Sequence, residues 1–408
     1  MLWHALLIAG TTMLPAQDDV LDLTRGLFRG AARRITAPVP SQPGPPPRRT
    51  GWGPQIKDYV VQTADGWKLV LHRYRVPGQN DPSKFPVILC HGFSYNGNFF
   101  DLSADVTLAR YLANQGFDVW VADLRGSGQS HKWALTIPNP SEAMLGRLAD
   151  QLEAREIPRQ GFVSLDPKFA DWDMDDHIEH DVPAILNAVK HYSGMPRVSW
   201  LGHSMGGNIM LAYLARHGQD NSVGKLVTVG SQLTMPKQAI VEQVLLEMLE
   251  SRTRQVSADR PVVNTFAESS RRVFFNEQNV DSTILAGVEN FASDMPSIGL
   301  VQQYIDLCRV GTLRDASRRR RYVDGLNKIQ CPYLIVSGAE DRIAPPSVQQ
   351  EILDRVSSPQ RYLLILGKQN GFRTDYGHSD SLLGRNAREE VYPVLARWLA
   401  GERVGRTE

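Results

Sequence analysis

An α/β architecture, a mostly parallel sheet with helices on both faces, is what this chain of 408 residues predicts. Three observations carry that expectation. Short, nearly unbroken apolar runs at 86–90, 198–201, 225–230, 333–338 and 361–366 read as buried strands, and stretches of helical periodicity lie between them. The run at 198–201 passes through a glycine-rich turn straight into a helical stretch at 208–217, which Gly218 stops. Asp65-Gly66 separates two alternating runs, so the first two strands should form an antiparallel hairpin.

The elements follow in chain order. After the hairpin and the strand at 86–90, residues 103–115 are amphipathic and end at Gly116. Residues 177–192 form the helix before the strand at 198–201, and 387–399 the helix that closes the chain. Between the strands at 225–230 and 333–338 the chain turns mainly helical. Periodicity at 241–249 and apolar or aromatic runs at 273–275 and 301–305 fit a helical lid over the sheet edge, although any inserted helices must bury an apolar face. A second insertion, 132–166, carries Pro138, Pro140, Met144, Leu145 and Leu148 and is a candidate for part of the entrance. The expected organisation is an N-terminal segment with a proline-rich linker (1–55), a first core part (56–231), a helical lid (232–325) and a second core part (326–408).

The most informative motif is Gly202-His203-Ser204-Met205-Gly206-Gly207, a G-x-S-x-G sequence set between a strand and a helix. Its outer glycines let strand and helix backbones approach closely, so Ser204 can sit on a sharp, strained turn with its hydroxyl above the sheet. A serine hydroxyl is a weak nucleophile at neutral pH and needs a histidine base oriented by a carboxylate. The turn after strand 333–338 carries Glu340 and Asp341; Asp341 is the expected acid and Glu340 its rival. The loop after strand 361–366 carries His378, the only histidine after His217 and the expected general base. Asp380 lies too close in sequence to His378 for that carboxylate role and reads as a loop-stabilising group. For the oxyanion, one donor is the N–H of Met205, just after the nucleophile. The second is the N–H of Phe93, after the strand that ends in Cys90-His91-Gly92, where Gly92 permits the turn. His91 reads as a satisfied structural histidine rather than a second base.

These segments together resemble the α/β-hydrolase superfamily and, within it, the acid-lipase-like serine hydrolases, with some likeness to polyester synthases. The resemblance runs from about residue 57 to about residue 400. Besides the elbow it rests on the hairpin at 59–69, on 116–126 with Asp123-Leu124-Arg125-Gly126, on 169–176 with 181–184, and on Tyr376-Gly377-His378-Ser379-Asp380 within 376–384 with 390–392. It implies an α/β-hydrolase fold with a helical lid insertion, Ser204, Asp341 and His378 as the triad, and Phe93 and Met205 at the oxyanion hole. Polyester synthases carry cysteine where this chain has Ser204, which favours hydrolysis over polymerisation.

Bulk properties set the remaining bounds. A formal net charge of +1 points to neither nucleic acid nor an anionic surface, and Arg318 to Arg321 read as a solvated loop. Cys90, Cys308 and Cys331 form no disulfide framework and no metal-ligand spacing, so neither metal nor cofactor is expected. Asp123-Leu124-Arg125-Gly126-Ser127-Gly128 does not open a helix and reads as a strand-end loop, not a phosphate cradle. Residues 1–15 lack a basic start and a cleavage site and are too short to span a bilayer. A cytoplasmic location is therefore expected, with a weak signal or surface anchor, and hence membrane-surface contact, left open.

The expected chemistry is two-step acyl transfer on a hydrophobic small-molecule carboxylic ester, of a lipid or hydrophobic acid, with water resolving an acyl-enzyme on Ser204. The alternatives are an acyltransferase using the same intermediate and a non-catalytic binding protein on the same fold. Amide, thioester and lactone cleavage use the same constellation, whereas halide release or epoxide opening would ask for aspartate at position 204.

Overall fold

The computed structural model describes residues 54–136, 161–164, 171–218, 221–236, 239–255 and 271–402. The N-terminal stretch 1–15, the proline-rich stretch up to residue 53 and the centre of the 132–166 insertion lie outside the described residues.

Among the described residues ten strands run in chain order: β1 (Gln55–Gln62), β2 (Lys68–Arg75), β3 (Val87–Cys90), β4 (Val119–Asp123), β5 (Trp133–Thr136), β6 (Gly161–Ser164), β7 (Val198–His203), β8 (Val223–Val229), β9 (Tyr333–Gly338) and β10 (Arg361–Leu366). Eight form one sheet in the order β1-β2-β4-β3-β7-β8-β9-β10, while β5 and β6 pair with each other at the two ends of the second insertion. From β4 to β10 every pairing is parallel. β2 joins β4 antiparallel and the β1–β2 hairpin turns at Asp65-Gly66, with Gly66 at φ +98°. A mostly parallel sheet buried on both faces requires strands apolar on both sides. Ile88, Trp120, Trp200 and Ile335 pack in one layer, and their neighbours Leu89, Val121, Leu201 and Val336 in the other.

The principal helices are α1 (Leu108–Asn114), α2 (Val182–Ser193), α3 (Met205–His217), α4 (Ala239–Gln255), α5 (Ser282–Phe291), α6 (Ile298–Val310), α7 (Pro346–Arg355) and α8 (Tyr392–Ala400). α2, α3, α4 and α6 cover one face; α1, α5 and α8 cover the other. Among the described residues no helix is long and apolar enough to cross a membrane.

Three helix boundaries differ from the expectation, each for a local reason. α1 starts five residues later than the periodicity implied, because Thr107 caps it through Arg110 N and Ser103 Oγ instead closes a turn on Val106 N. The expected closing helix is two pieces, Ala387–Glu390 and α8, with Pro393 in the first turn of the second. Ahead of α2 the chain is already helical from Met174, and passes through a wide π turn at His177–Asp181 just before Pro183. Pro183 has no N–H to return to the carbonyl four residues back, and the wider turn accommodates it.

His72, buried in β2, lies between Asp58 (2.7 Å) and Asp123 (3.0 Å). Burial alone would lower its pKa, but the hydrogen bonds to the two carboxylates win and raise it from 6.5 to about 9. A group whose folded pKa lies above its unfolded value gives stability that is complete below the unfolded pKa and vanishes as pH rises through the folded one. Unfolding free energy is therefore expected to fall by on the order of 2 kcal/mol between pH 6.5 and 9, discounted because Asp58 is partly exposed. His72→Gln should flatten that slope in urea titrations at several pH values.

Candidate active site

β7 is buried at all six positions, and the chain leaves it through Ser204 at φ 51°, ψ −119°. That left-handed conformation is strained for a residue with a Cβ, and the surroundings enforce it. Ser204 N donates to Val229 O at 2.8 Å, and its carbonyl accepts from Gly207 N, Asn208 N and Ser231 Oγ. The flanking glycines are required by contact. A Cβ on Gly202 would lie 2.3 Å from Gly206 C, and one on Gly206 would lie 2.2 Å from Cys90 O. The turn thus locks β7, the start of α3 and the end of β3 together.

Asp341 and His378 meet in the interior. His378 Nδ1 lies 2.9 Å from Asp341 Oδ2 and 3.1 Å from Oδ1, with both side chains fully buried. Asp341 Oδ1 also accepts from Ile343 N (2.9 Å) and Ala344 N (2.8 Å), which fixes the carboxylate plane. With Nδ1 facing a carboxylate, the other ring nitrogen, Nε2, is buried without a hydrogen-bond partner. Ser204 hangs from Val229, and the next residue, Gly230, packs against the pair: a Cβ there would lie 2.9 Å from Asp341 Oδ2 and 3.0 Å from His378 Nδ1. Glu340 is exposed and reaches Asn276 Nδ2 at 3.4 Å instead. The 376–380 loop is tied by Asp380, whose carboxylate accepts from Gly377 N, Asn276 N and Asn279 Nδ2. Burial raises the Asp380 pKa, partly offset by these donors.

The expected oxyanion donors frame the same turn. Met205 opens α3, whose N-terminal end carries partial positive charge, and Phe93 follows Gly92 after β3. Neither N–H donates to a protein group among the described residues. Gly92 faces the serine so closely that a Cβ there would sit 3.0 Å from Ser204 Cβ. His91 braces this loop, with Nδ1 2.9 Å from Gly92 O and Nε2 2.9 Å from Ser127 Oγ. Burial lowers its pKa, so the ring is neutral and Nδ1–H is the donor to the carbonyl.

Three residues not singled out from sequence also shape the site. His203 stacks on Phe99 and its Nε2–H donates to His378 O at 3.3 Å; burial, then the nearby His378, push its pKa well down. Asn208, one helical turn after Ser204, donates through Nδ2 to Tyr304 OH at 3.0 Å. The Tyr304 ring lies 4.9 Å from that of Phe93 and so links α6 to the loop after β3. The i, i+4 spacing from Ser204 points to Asn208; nothing in the sequence points to its partner.

Arg125, at the end of β4, is buried and bonds Asp65 through both terminal nitrogens and Asp181 through Nε at 2.9 Å. His177 Nδ1 completes the group at 2.7 Å from Asp181. Burial opposes the charge on Arg125, but Asp181 and Asp65 outweigh it and hold its pKa up. Arg125→Ala would strand a buried carboxylate, so a loss of about 3–5 kcal/mol is expected in urea-melt stability. Ligand atoms of Asp65, Asp176 and His180 lie within 4.8 Å of one another, but the guanidinium already lies against both carboxylates.

Nucleophile, acid, base and amide candidates come from the ends of β7, β9, β10 and β3, on the carboxyl edge of one parallel sheet. Residues 86–369 match the family model described as alpha/beta hydrolase fold. A tear acid lipase-like protein of Mesocricetus auratus is 30% identical over 164 residues, 39% of this chain and 35% of that protein. Lipase member K of Homo sapiens is 22% identical over 389 residues, 84% of this chain and 87% of that protein. The chain spans half or less of the length of several other curated relatives it matches. Among solved structures, the esterase EaEST from Exiguobacterium antarcticum superposes with a TM-score of 0.55 at 20% identity, covering 84% of this chain and 99% of that one, a likeness of fold. The chain belongs to the alpha/beta hydrolase fold family.

Proposed function

We propose that this chain is a carboxylic ester hydrolase that works through an acyl-enzyme on Ser204. The observation that carries the reading is the buried Asp341–His378 pair, with His378 Nε2 left without a protein partner, next to a strained serine elbow. In this reading His378 Nε2 takes the Ser204 proton as Oγ attacks the ester carbonyl, and Asp341 stabilises the imidazolium. The Phe93 and Met205 amides, together with the α3 N-terminus, receive the oxyanion; one such donor is worth about 3–4 kcal/mol at the transition state. His378 passes the proton to the departing alcohol, and water then releases the acid. The names of the relatives, lipases and esterases, support an ester substrate. The helices between 232 and 325 act as the lid, with Tyr304 carrying their position to Phe93. In this reading the substrate is a small-molecule ester of a lipid or other hydrophobic acid.

The test is a panel of p-nitrophenyl and naphthyl esters, with Ser204→Ala as the blank. Turnover by the native chain and none above background by the variant is the expected result; equal rates would sink the proposal.

A further inference from the structure

We infer that Ser94 and Asp294 are positioning residues for the oxyanion: the segment between α5 and α6 holds the turn that carries the Phe93 amide. This rests on the ester-hydrolase reading above. A donor to a developing oxyanion is effective only if its direction is fixed before the reaction. Phe93 lies in a loop, so contacts from outside β3 must fix it.

Gly92 to Tyr95 form a β-turn closed by Tyr95 N→Gly92 O at 3.2 Å. Ser94, third in the turn, has φ 63° and Phe93 has no positive φ, which is the pattern of a type II turn. That third position ordinarily belongs to glycine, because a residue with a Cβ is strained there. A serine stays in such a conformation only where its surroundings hold it. Ser94 O accepts from Asp294 N at 3.0 Å and Ser94 Oγ donates to Asp294 O at 2.8 Å, so one residue of the neighbouring segment grips both its carbonyl and its side chain. The contact continues as a short antiparallel ladder, with Tyr95 bridged to Ser293 and Asn96 N donating to Ala292 O at 3.0 Å. Asp294 is itself anchored. Its carboxylate accepts from Asn96 Nδ2 (2.9 Å), from Gly128 N (2.8 Å) in the loop after β4, and from Lys132 Nζ.

The consequence falls on Phe93. Its ring is buried and lies 4.9 Å from that of Tyr304, which leaves the backbone as the part still to be held. Were Ser94 to relax to negative φ, the peptide between Phe93 and Ser94 would turn over, the change that separates a type II turn from a type I turn. A carbonyl and an N–H would then exchange sides directly beside the donating amide. The oxyanion would lose stabilisation that the bound ester never receives, so the loss belongs to kcat and not to KM.

The experiment measures kcat and KM of the full chain for p-nitrophenyl butyrate, together with the Ki of a trifluoromethyl ketone whose adduct with Ser204 carries the oxyanion. Ser94→Ala, Ser94→Gly and Asp294→Ala are compared with the native protein, and urea melts establish that each is folded. Ser94→Ala and Asp294→Ala are expected to lower kcat about tenfold with KM within about twofold, part of the roughly 10²- to 10³-fold lost with a whole donor. Ki for the ketone should rise by a similar factor. Ser94→Gly loses the same hydroxyl bond but takes positive φ unaided, so its kcat should stay within about threefold of native. Unchanged kcat in Ser94→Ala, an equal fall in Ser94→Ala and Ser94→Gly, or a change in KM alone overturns the positioning role and leaves the hydrolase reading standing. The two Ser94 variants decide the matter by themselves where Asp294→Ala fails to fold. No turnover of any ester by the native chain, with Ser204 unlabelled by a fluorophosphonate, overturns both readings.

Discussion

Ser204→Ala is expected to lower kcat by roughly 10⁴- to 10⁶-fold for any ester the chain turns over, with little change in stability. The side chain is not needed to hold the elbow. Ser204 is fixed through its backbone N–H and carbonyl, and the nearby glycines are what allow the close approach. Alanine keeps those bonds and has less to strain at φ 51° than any larger residue. His378→Ala should cost a similar factor, and the double variant little more than either single one, because nucleophile and base act as one unit. Steady-state rates of the three variants on one ester, set beside urea melts, separate this outcome from simple unfolding.

Asp341→Asn is the next largest effect, a fall of about 10⁴-fold in kcat, whereas Glu340→Gln should stay within about threefold. The reason is geometric. Asp341 Oδ1 is held by Ile343 N and Ala344 N, so an asparagine oxygen must occupy that position to accept from them. The amide NH₂ then falls where Oδ2 now lies, 2.9 Å from His378 Nδ1. A donor there forces the imidazole into the tautomer with its proton on Nε2, which cannot accept from Ser204. Glu340 makes no contact with His378 and reaches Asn276 instead. Parallel pH–rate profiles of the two variants check the assignment, and loss of rate in Glu340→Gln equal to that in Asp341→Asn would exchange the two roles.

The sheet was legible because buried strands need apolar residues on both faces, and a parallel order forces helices between them; runs such as 198–201 and 333–338 carry both signals. Asp65-Gly66 marked the antiparallel hairpin for an equally local reason. Helix ends were less legible. The start of α1 depends on which of two hydroxyls caps it, and the π turn ahead of α2 on how Pro183 is accommodated. Around the candidate site, residues tied to the backbone logic of the strand-turn-helix unit could be named from the motif. Those joined only by tertiary packing could not. The Tyr304 hydroxyl reaches Asn208 across 96 positions, and Asp294 reaches Asn96 across 198. Tyr304 read as generic apolar surface, because a side chain's partner on another element leaves no periodicity. Arg125 read correctly as part of a strand-end loop, yet nothing local indicated that it would be buried between Asp65 and Asp181.

The measurement that bears most directly on an activated serine is covalent labelling with a fluorophosphonate probe, followed by peptide mapping, on the native chain, Ser204→Ala and His378→Ala. The account expects a single modified site at Ser204 in the native chain and no labelling in either variant. A native chain that stays unlabelled even with detergent added, or one labelled as fast without His378 as with it, would contradict it.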